Sequence, residues 1–90
     1  MPKTTELTAT ALGELCLSYL VEHPAQLAEF MSVAGVAPDT LRRTAGSAEL
    51  HRGLIDYVAQ NEALLLALCA NAGLRPEDFM RVWGRLNPAG

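Results

Sequence analysis

Hydrophobic residues along the chain recur at the three- and four-residue spacing of amphipathic α-helices. The first such segment carries them at Leu12, Leu15, Cys16, Tyr19 and Leu20. Alanine and leucine, both strong helix formers, fill many of the other apolar positions, and aromatic and β-branched residues are sparse. The pattern therefore predicts an all-α protein, a compact bundle of five to six short helices.

Capping residues, prolines and glycines predict where these helices begin and end. We expect the first helix to begin near Thr5, with Thr4 or Thr5 as its cap, and to end before Pro24. The later helices are expected to start at Pro24, Pro38, Ser47, Asn61 and Pro76. Residues 63–70 are apolar all round. The fifth helix is therefore predicted to be the buried centre of the bundle.

The turn between the second and third helices recurs later in the chain. Gly35 and Pro38 are each followed, 38 positions on, by Gly73 and Pro76. Both glycines suit the left-handed conformation that closes a helix. The same offset aligns seven further identical pairs: Leu12/Leu50, Tyr19/Tyr57, Ala25/Ala63, Leu27/Leu65, Ala34/Ala72, Arg43/Arg81 and Gly46/Gly84. We interpret them as two quasi-repeated halves, at about 11–48 and 49–86, in one domain (1–90) with an ordered core at about 6–86.

Charge and cysteine content narrow the classes of function. The net charge of −3 predicts no general affinity for nucleic acid or anionic membranes, which both attract basic proteins. Two cysteines in 90 residues do not make a disulfide scaffold. The first six residues lack the apolar core of a signal peptide, and the apolar run at 63–70 is too short to span a bilayer. We therefore expect a cytoplasmic protein without a membrane segment.

No arrangement of residues predicts catalysis, a metal site or a cofactor. Cys16 and Cys69 are expected to be buried apolar residues, and the sequence leaves open a disulfide between their helices. Neither forms a metal-ligand spacing with His23, at a helix boundary, or His51, expected on an exposed face. Trp83 is expected in the core with its N–H bonded to one partner. We therefore expect that the protein is not an enzyme.

The glycine turn also suggests a helix-turn-helix, with Arg42 and Arg43 of the third helix facing DNA. Three features count against this interpretation. The residue four positions before the glycine is usually small in such motifs, but here Met31 and Cys69 occupy it. The candidate recognition helix is also short, and the chain is acidic. Two solvated arginines at the end of a helix hairpin are the simpler interpretation.

A few residues are candidates for a partner-binding surface. Leu17, Val21 and Ile55 fall outside the apolar stripes of their helices, which indicates either helices buried on two sides or an exposed patch. Nearly all positive charge lies after residue 41, and it could steer an acidic partner. Scattered surface arginines are the alternative interpretation. The arginines considered for such a surface are Arg42, Arg43, Arg81 and Arg85.

Several short motifs together resemble a known family. They are Leu27-x-x-Phe30, Gly35-x-x-Pro38, Leu54-x-x-Tyr57-Val58, Asn61-Glu62-x-Leu64-Leu65 and Gly73-Leu74-x-Pro76-Glu77. In combination and order they resemble a mainly alphaproteobacterial family known as domain of unknown function 3572. His23 departs from the aspartate expected before the proline, which weakens the cap of the second helix. The resemblance implies a small soluble helical protein and supplies no functional residues.

These observations favour a small non-catalytic adaptor or regulator that binds an unidentified protein partner. The alternative is a helix-turn-helix-like DNA-binding regulator, although nucleic acid is not the expected partner. A small homodimeric structural protein is a third class that fits the same observations. The motifs found are signals of folding, so they fit all three classes.

Overall fold

The computed structural model describes residues 7–88, and these residues form six α-helices and no strand. In chain order the helices are α1 (Ala9–Val21), α2 (Pro24–Ala34), α3 (Pro38–Arg43), α4 (Ala48–Ala59), α5 (Glu62–Ala72) and α6 (Pro76–Leu86). They pack into one bundle around a shared hydrophobic core. The predicted all-α bundle is therefore confirmed.

Side chains or prolines begin the helices, as the sequence predicts. The Ser47 hydroxyl accepts a hydrogen bond from the Leu50 N–H at 3.0 Å, and the Asn61 carbonyl oxygen accepts one from the Leu64 N–H at 3.2 Å. Proline is the first residue of α2, α3 and α6. The prediction for α1 was wrong: it begins at Ala9, and Thr8 caps it. The predicted caps Thr4 and Thr5, and Glu6 of the expected ordered core, lie outside the described residues.

Two glycines in the left-handed conformation close α2 and α5. Gly35 has φ = 70° and Gly73 has φ = 68°. Beyond them, the Val36 N–H donates to the Met31 carbonyl at 2.9 Å and the Leu74 N–H donates to the Cys69 carbonyl at 2.8 Å. This is the hydrogen bond of a Schellman motif, which satisfies carbonyls at the end of a helix. The bounds of α2 and α5 are also displaced by 38 residues, the offset of the proposed repeat.

The centre of the bundle is the pair α1 and α4, not α5. These two helices pack along each other, and each also packs against α2, α5 and α6. One face of α5 is open to solvent: Leu66 is 49% exposed, and Ala63, Ala67 and Ala70 are also exposed. The prediction was wrong because alanines lengthen an apolar run but carry little surface that needs burial. Leu64, Leu65, Leu68 and Cys69 form the buried face of α5.

α1 and α4 approach each other most tightly at Gly13 and His51. A Cβ atom on Gly13 would overlap the Cβ and Cγ atoms of His51. His51 is only 2% exposed, so the prediction of an exposed position was wrong; α1 covers that face of α4. Its Nε2 atom lies 3.0 Å from the Ala45 carbonyl oxygen. Since that oxygen can only accept, Nε2 is the donor, and Nδ1 has no hydrogen-bond partner within residues 7–88.

Within residues 7–88, no single helix is both long enough and apolar enough to cross a bilayer. α4 and α5 reach that length and hydropathy only together, and they are bent by 111° at the break between them.

Candidate functional site

A groove runs along the bundle surface between α2 and α4. It consists of two cavities, of about 540 Å³ and about 310 Å³, that share Phe30, Ala34 and Gly53. The larger cavity extends to the junction of α4 and α5, and the smaller one extends to the start of α4. We call the two together the α2–α4 groove. Even without the smaller cavity, the larger one falls in the size range of ligand-binding clefts.

The floor and one wall of the α2–α4 groove are apolar. Phe30 is 2% exposed, and its ring packs edge-on against Tyr57 with 5.4 Å between ring centroids. Val33 stands at the rim and is 72% exposed. Gly53 lies in the middle of the groove, and a Cβ atom placed on it would have no neighbour within 4 Å. The missing side chain at Gly53 therefore leaves the groove open.

Hydrogen bonds fix the polar side chains of the groove. The Tyr57 hydroxyl donates to the Glu29 carboxylate at 2.9 Å and so links α4 to α2. Desolvation, together with this hydrogen bond and the Glu29 charge, raises the pKa of Tyr57 to about 12. Asp56 accepts two hydrogen bonds at 3.0 Å, from the Trp83 indole N–H and the Gln60 amide. Trp83 thus packs against the core and has the N–H partner expected from the sequence.

The predicted apolar patch is only partly present. Val21 is 58% exposed. Leu17 is partly buried against the core, and both residues line a shallow depression between α1 and the α3–α4 turn. Ile55 is fully buried, so its assignment to a partner surface was wrong. The reason is that α4 has neighbouring helices on several sides, and a residue outside its main stripe still faces one of them.

The predicted arginines lie on two helices, Arg42 and Arg43 on α3 and Arg81 and Arg85 on α6. Arg42 and Arg43 both pair with Asp39, at 3.7 and 3.4 Å. Arg81 binds Asp78 at 2.9 Å. Such solvent-exposed ion pairs contribute at most about 1 kcal/mol each. None of the four arginines lines the α2–α4 groove.

Cys16 and Cys69 are buried free thiols in the core. Burial raises the pKa of the Cys16 thiol to about 12, and the neighbouring Cys69 thiol adds to the shift. Burial and the charge of Asp78 also raise the pKa of the Cys69 thiol. Among the described residues, no three histidine, cysteine, aspartate or glutamate side chains are grouped to hold a metal ion.

Comparison with known proteins identifies the family. A family model described as "Protein of unknown function (DUF3572)" matches residues 6–89. The chain belongs to this family. The match spans nearly the whole sequence and confirms the resemblance carried by the glycine, proline and leucine motifs. The DUF3572 description assigns no activity, and none of the curated proteins or solved structures matches the chain.

The α2–α4 groove of this DUF3572 chain was not predicted from its sequence. Two local signals pointed toward it. Gly53 interrupts an otherwise amphipathic helix, where glycine costs about 1 kcal/mol relative to alanine. Val33 lies outside the apolar stripe of α2 and is the most exposed of the large hydrophobic residues described. Neither signal specifies that α2 and α4 pack side by side, so the groove could be located only from the structure.

Proposed function

We propose that the protein is a non-catalytic interaction module, and that the α2–α4 groove binds an apolar segment of a partner protein. The observation that carries the proposal is the open position at Gly53. Gly53 lines the larger cavity together with the buried Phe30 ring and the exposed Val33 side chain. An apolar groove beside an exposed valine is the kind of surface that amphipathic segments cover.

The polar groups of the groove support binding rather than acid–base chemistry. The Tyr57 hydroxyl donates to Glu29, and its raised pKa moves the hydroxyl further from ionisation at neutral pH. Asp56 is held by Trp83 and Gln60. These hydrogen bonds join α2, α4 and α6, and so they give the walls of the groove a fixed shape.

The test fills the groove without disturbing the core. Gly53→Leu places a side chain in the open space, and Gly84→Leu is the matched control. A Cβ atom on Gly84 also has no neighbour within 4 Å, but Gly84 lines neither cavity of the groove. Both changes put a better helix former into a helix. Tagged wild-type, Gly53→Leu and Gly84→Leu proteins are used to capture partners from the native cell, followed by quantitative mass spectrometry.

We expect at least one protein to be captured by the wild type and by Gly84→Leu, and to be lost with Gly53→Leu. Capture of the same proteins in equal amounts by all three would contradict the assignment of binding to the α2–α4 groove. Circular dichroism of the three proteins checks that each is folded. We further propose that this interaction takes place in the cytoplasm, where a reducing environment would keep the two free thiols reduced.

A DNA-binding regulator is the alternative function. The side chains of Arg42 and Arg43 are 76% and 69% exposed and follow the left-handed Gly35 turn. Asp39 lies against both arginines and offsets their charge. A gel shift with random-sequence duplex DNA at low salt tests this function. A shifted band that Arg42→Ala/Arg43→Ala removes would favour it over the interaction module.

A further inference from the structure

The charged groups of the α2–α4 groove all have one sign. Glu49, Asp56 and Glu62 line its two cavities, and Glu29 accepts the hydrogen bond from the Tyr57 hydroxyl. No arginine, lysine or histidine is among the described residues that line the groove. Among the described residues, the apolar floor is therefore bordered by carboxylates and neutral polar side chains, without a cation.

The hydrogen-bond partners of two of these carboxylates, Glu29 and Asp56, are neutral. Glu29 accepts from the Tyr57 hydroxyl, and Asp56 accepts from an indole N–H and an amide. The ion pairs of Arg42 and Arg43 are made with Asp39, outside the groove. Those of Arg75 and Arg81 are made with Glu77 and Asp78, also outside the groove.

Helix dipoles account for two of the four carboxylates but not for the others. Glu49 and Glu62 lie in the first turns of α4 and α5, where the positive end of the helix stabilises an acid. Glu29 and Asp56 lie beyond the first turns of α2 and α4, and the dipole effect is confined to the terminal turn. The dipole therefore does not explain the negative charge at these two positions, whose carboxylates instead accept hydrogen bonds from Tyr57, Trp83 and Gln60.

The groove has the length of a short helix. It runs along α4, which has 12 residues, and this corresponds to about 18 Å at 1.5 Å per residue. A partner helix of similar length presents apolar residues three and four positions apart on one face. Basic residues beside that face would meet the carboxylates, and such complementarity steers and orients docking.

We propose that the occupant of the α2–α4 groove is a basic amphipathic helix of a partner protein. Its apolar face lies over Phe30, Ala34 and Gly53, and its lysines or arginines meet Glu29, Asp56 and Glu62. This inference rests on the proposed function, since it names the chemistry of the partner at the same groove.

The first experiment selects ligands without assuming their sequence. A displayed library of random 15-residue peptides is enriched on the immobilised full-length protein, and in parallel on Gly53→Leu and Gly84→Leu. We expect the wild type and Gly84→Leu to enrich peptides that contain more lysine and arginine than the starting library. Gly53→Leu should not enrich them.

The second experiment changes the charge of the groove without filling it. The best enriched peptide is labelled, and its Kd is measured by fluorescence anisotropy for Glu29→Gln/Glu62→Gln. Glutamine keeps an oxygen that can accept from the Tyr57 hydroxyl. The matched control is Glu14→Gln on α1 combined with Glu22→Gln at the C-terminal cap of α1, which removes the same charge outside the groove. We expect Kd to rise by about tenfold or more for the groove variant at low salt, and by less than about twofold for the control.

The outcomes separate this inference from the proposed function. Enrichment of neutral or acidic apolar peptides that is lost on Gly53→Leu would overturn the basic partner but keep the groove as a binding site. No enrichment, or enrichment equal on Gly53→Leu, would overturn both. A wild-type dimer in sedimentation velocity that Gly53→Leu dissociates would assign the groove to a second copy of the chain, and would also overturn the basic partner.

Discussion

Gly13→Ala should destabilise the protein, although alanine is the better helix former. Gly13 is buried where α1 meets α4, and an added Cβ would overlap the Cβ and Cγ atoms of His51. The His51 Cβ is attached to the backbone and cannot rotate away. The methyl group therefore fits only if α1 and α4 move apart, and such movement loosens the packing of fully buried residues such as Leu12 and Leu54.

The expected magnitude follows from two opposing effects. Alanine gains about 1 kcal/mol of helix propensity over glycine. Overpacking of a tight core costs about 1–3 kcal/mol and sometimes more, and the upper part of that range applies because the contact involves a Cβ atom. We expect a net loss of about 2 kcal/mol, which corresponds to about 10 °C in Tm for a domain of this size.

Chemical denaturation followed by circular dichroism measures this loss, and two other glycines supply the controls. Gly53→Ala and Gly84→Ala place a methyl group where nothing lies within 4 Å, so each should keep or raise stability by up to about 1 kcal/mol. If Gly13→Ala is as stable as these controls, α1 and α4 do not meet at Gly13 and His51, and the described centre of the bundle is incorrect.

Three further predictions concern the helices and the groove. Leu68→Ala should lower the free energy of unfolding by about 2–5 kcal/mol because Leu68 is buried. Leu66→Ala, on the open face, should lower it by less than about 1 kcal/mol. Equal losses for the two variants in denaturant titrations would contradict the described orientation of α5. Cys16 and Cys69 should react slowly with Ellman's reagent in the folded protein even as the pH passes 9, since their raised pKa values keep the thiolate fraction low; rapid reaction before urea is added would show that the thiols are accessible. Folding stability should fall as the pH rises from about 10 toward 12, because unfolded Tyr57 loses its proton at lower pH than folded Tyr57 does. Tyr57→Phe should weaken that fall. A pH profile of stability that is the same for Tyr57→Phe and the wild type would refute the effect of the hydrogen bond to Glu29.

The helix boundaries were predictable because their signals are local. Ser47 and Asn61 cap the helices that follow them, and Gly35 and Gly73 adopt the left-handed conformation that ends a helix. Each signal needs only a few neighbouring residues to act. The α1 start was placed too early because several threonines near it are equivalent as caps, and Thr8 is the one used.

Packing was less predictable because it depends on residues far apart in the chain. The stripe of α4 alone predicts an exposed His51 and leaves open whether Ile55 is buried or exposed. Both residues are buried, because α1 and the other neighbours of α4 cover more than one of its faces. The alanines of α5 lengthen its apolar run, but they carry too little surface to require burial on every side of the helix. The α2–α4 groove depends on the distance between two helices and on the missing side chain at Gly53, and no local pattern encodes that distance.

The central claim is that the α2–α4 groove is the binding surface of the protein. Its most direct test is to titrate the ¹⁵N-labelled protein with the selected basic peptide and to follow the backbone amide signals. We predict that the largest shifts lie at Val33, Ala34, Gly53 and Tyr57. Shifts concentrated instead at Leu17 and Val21, with Gly53 and Tyr57 unchanged, would contradict the account and place binding on α1.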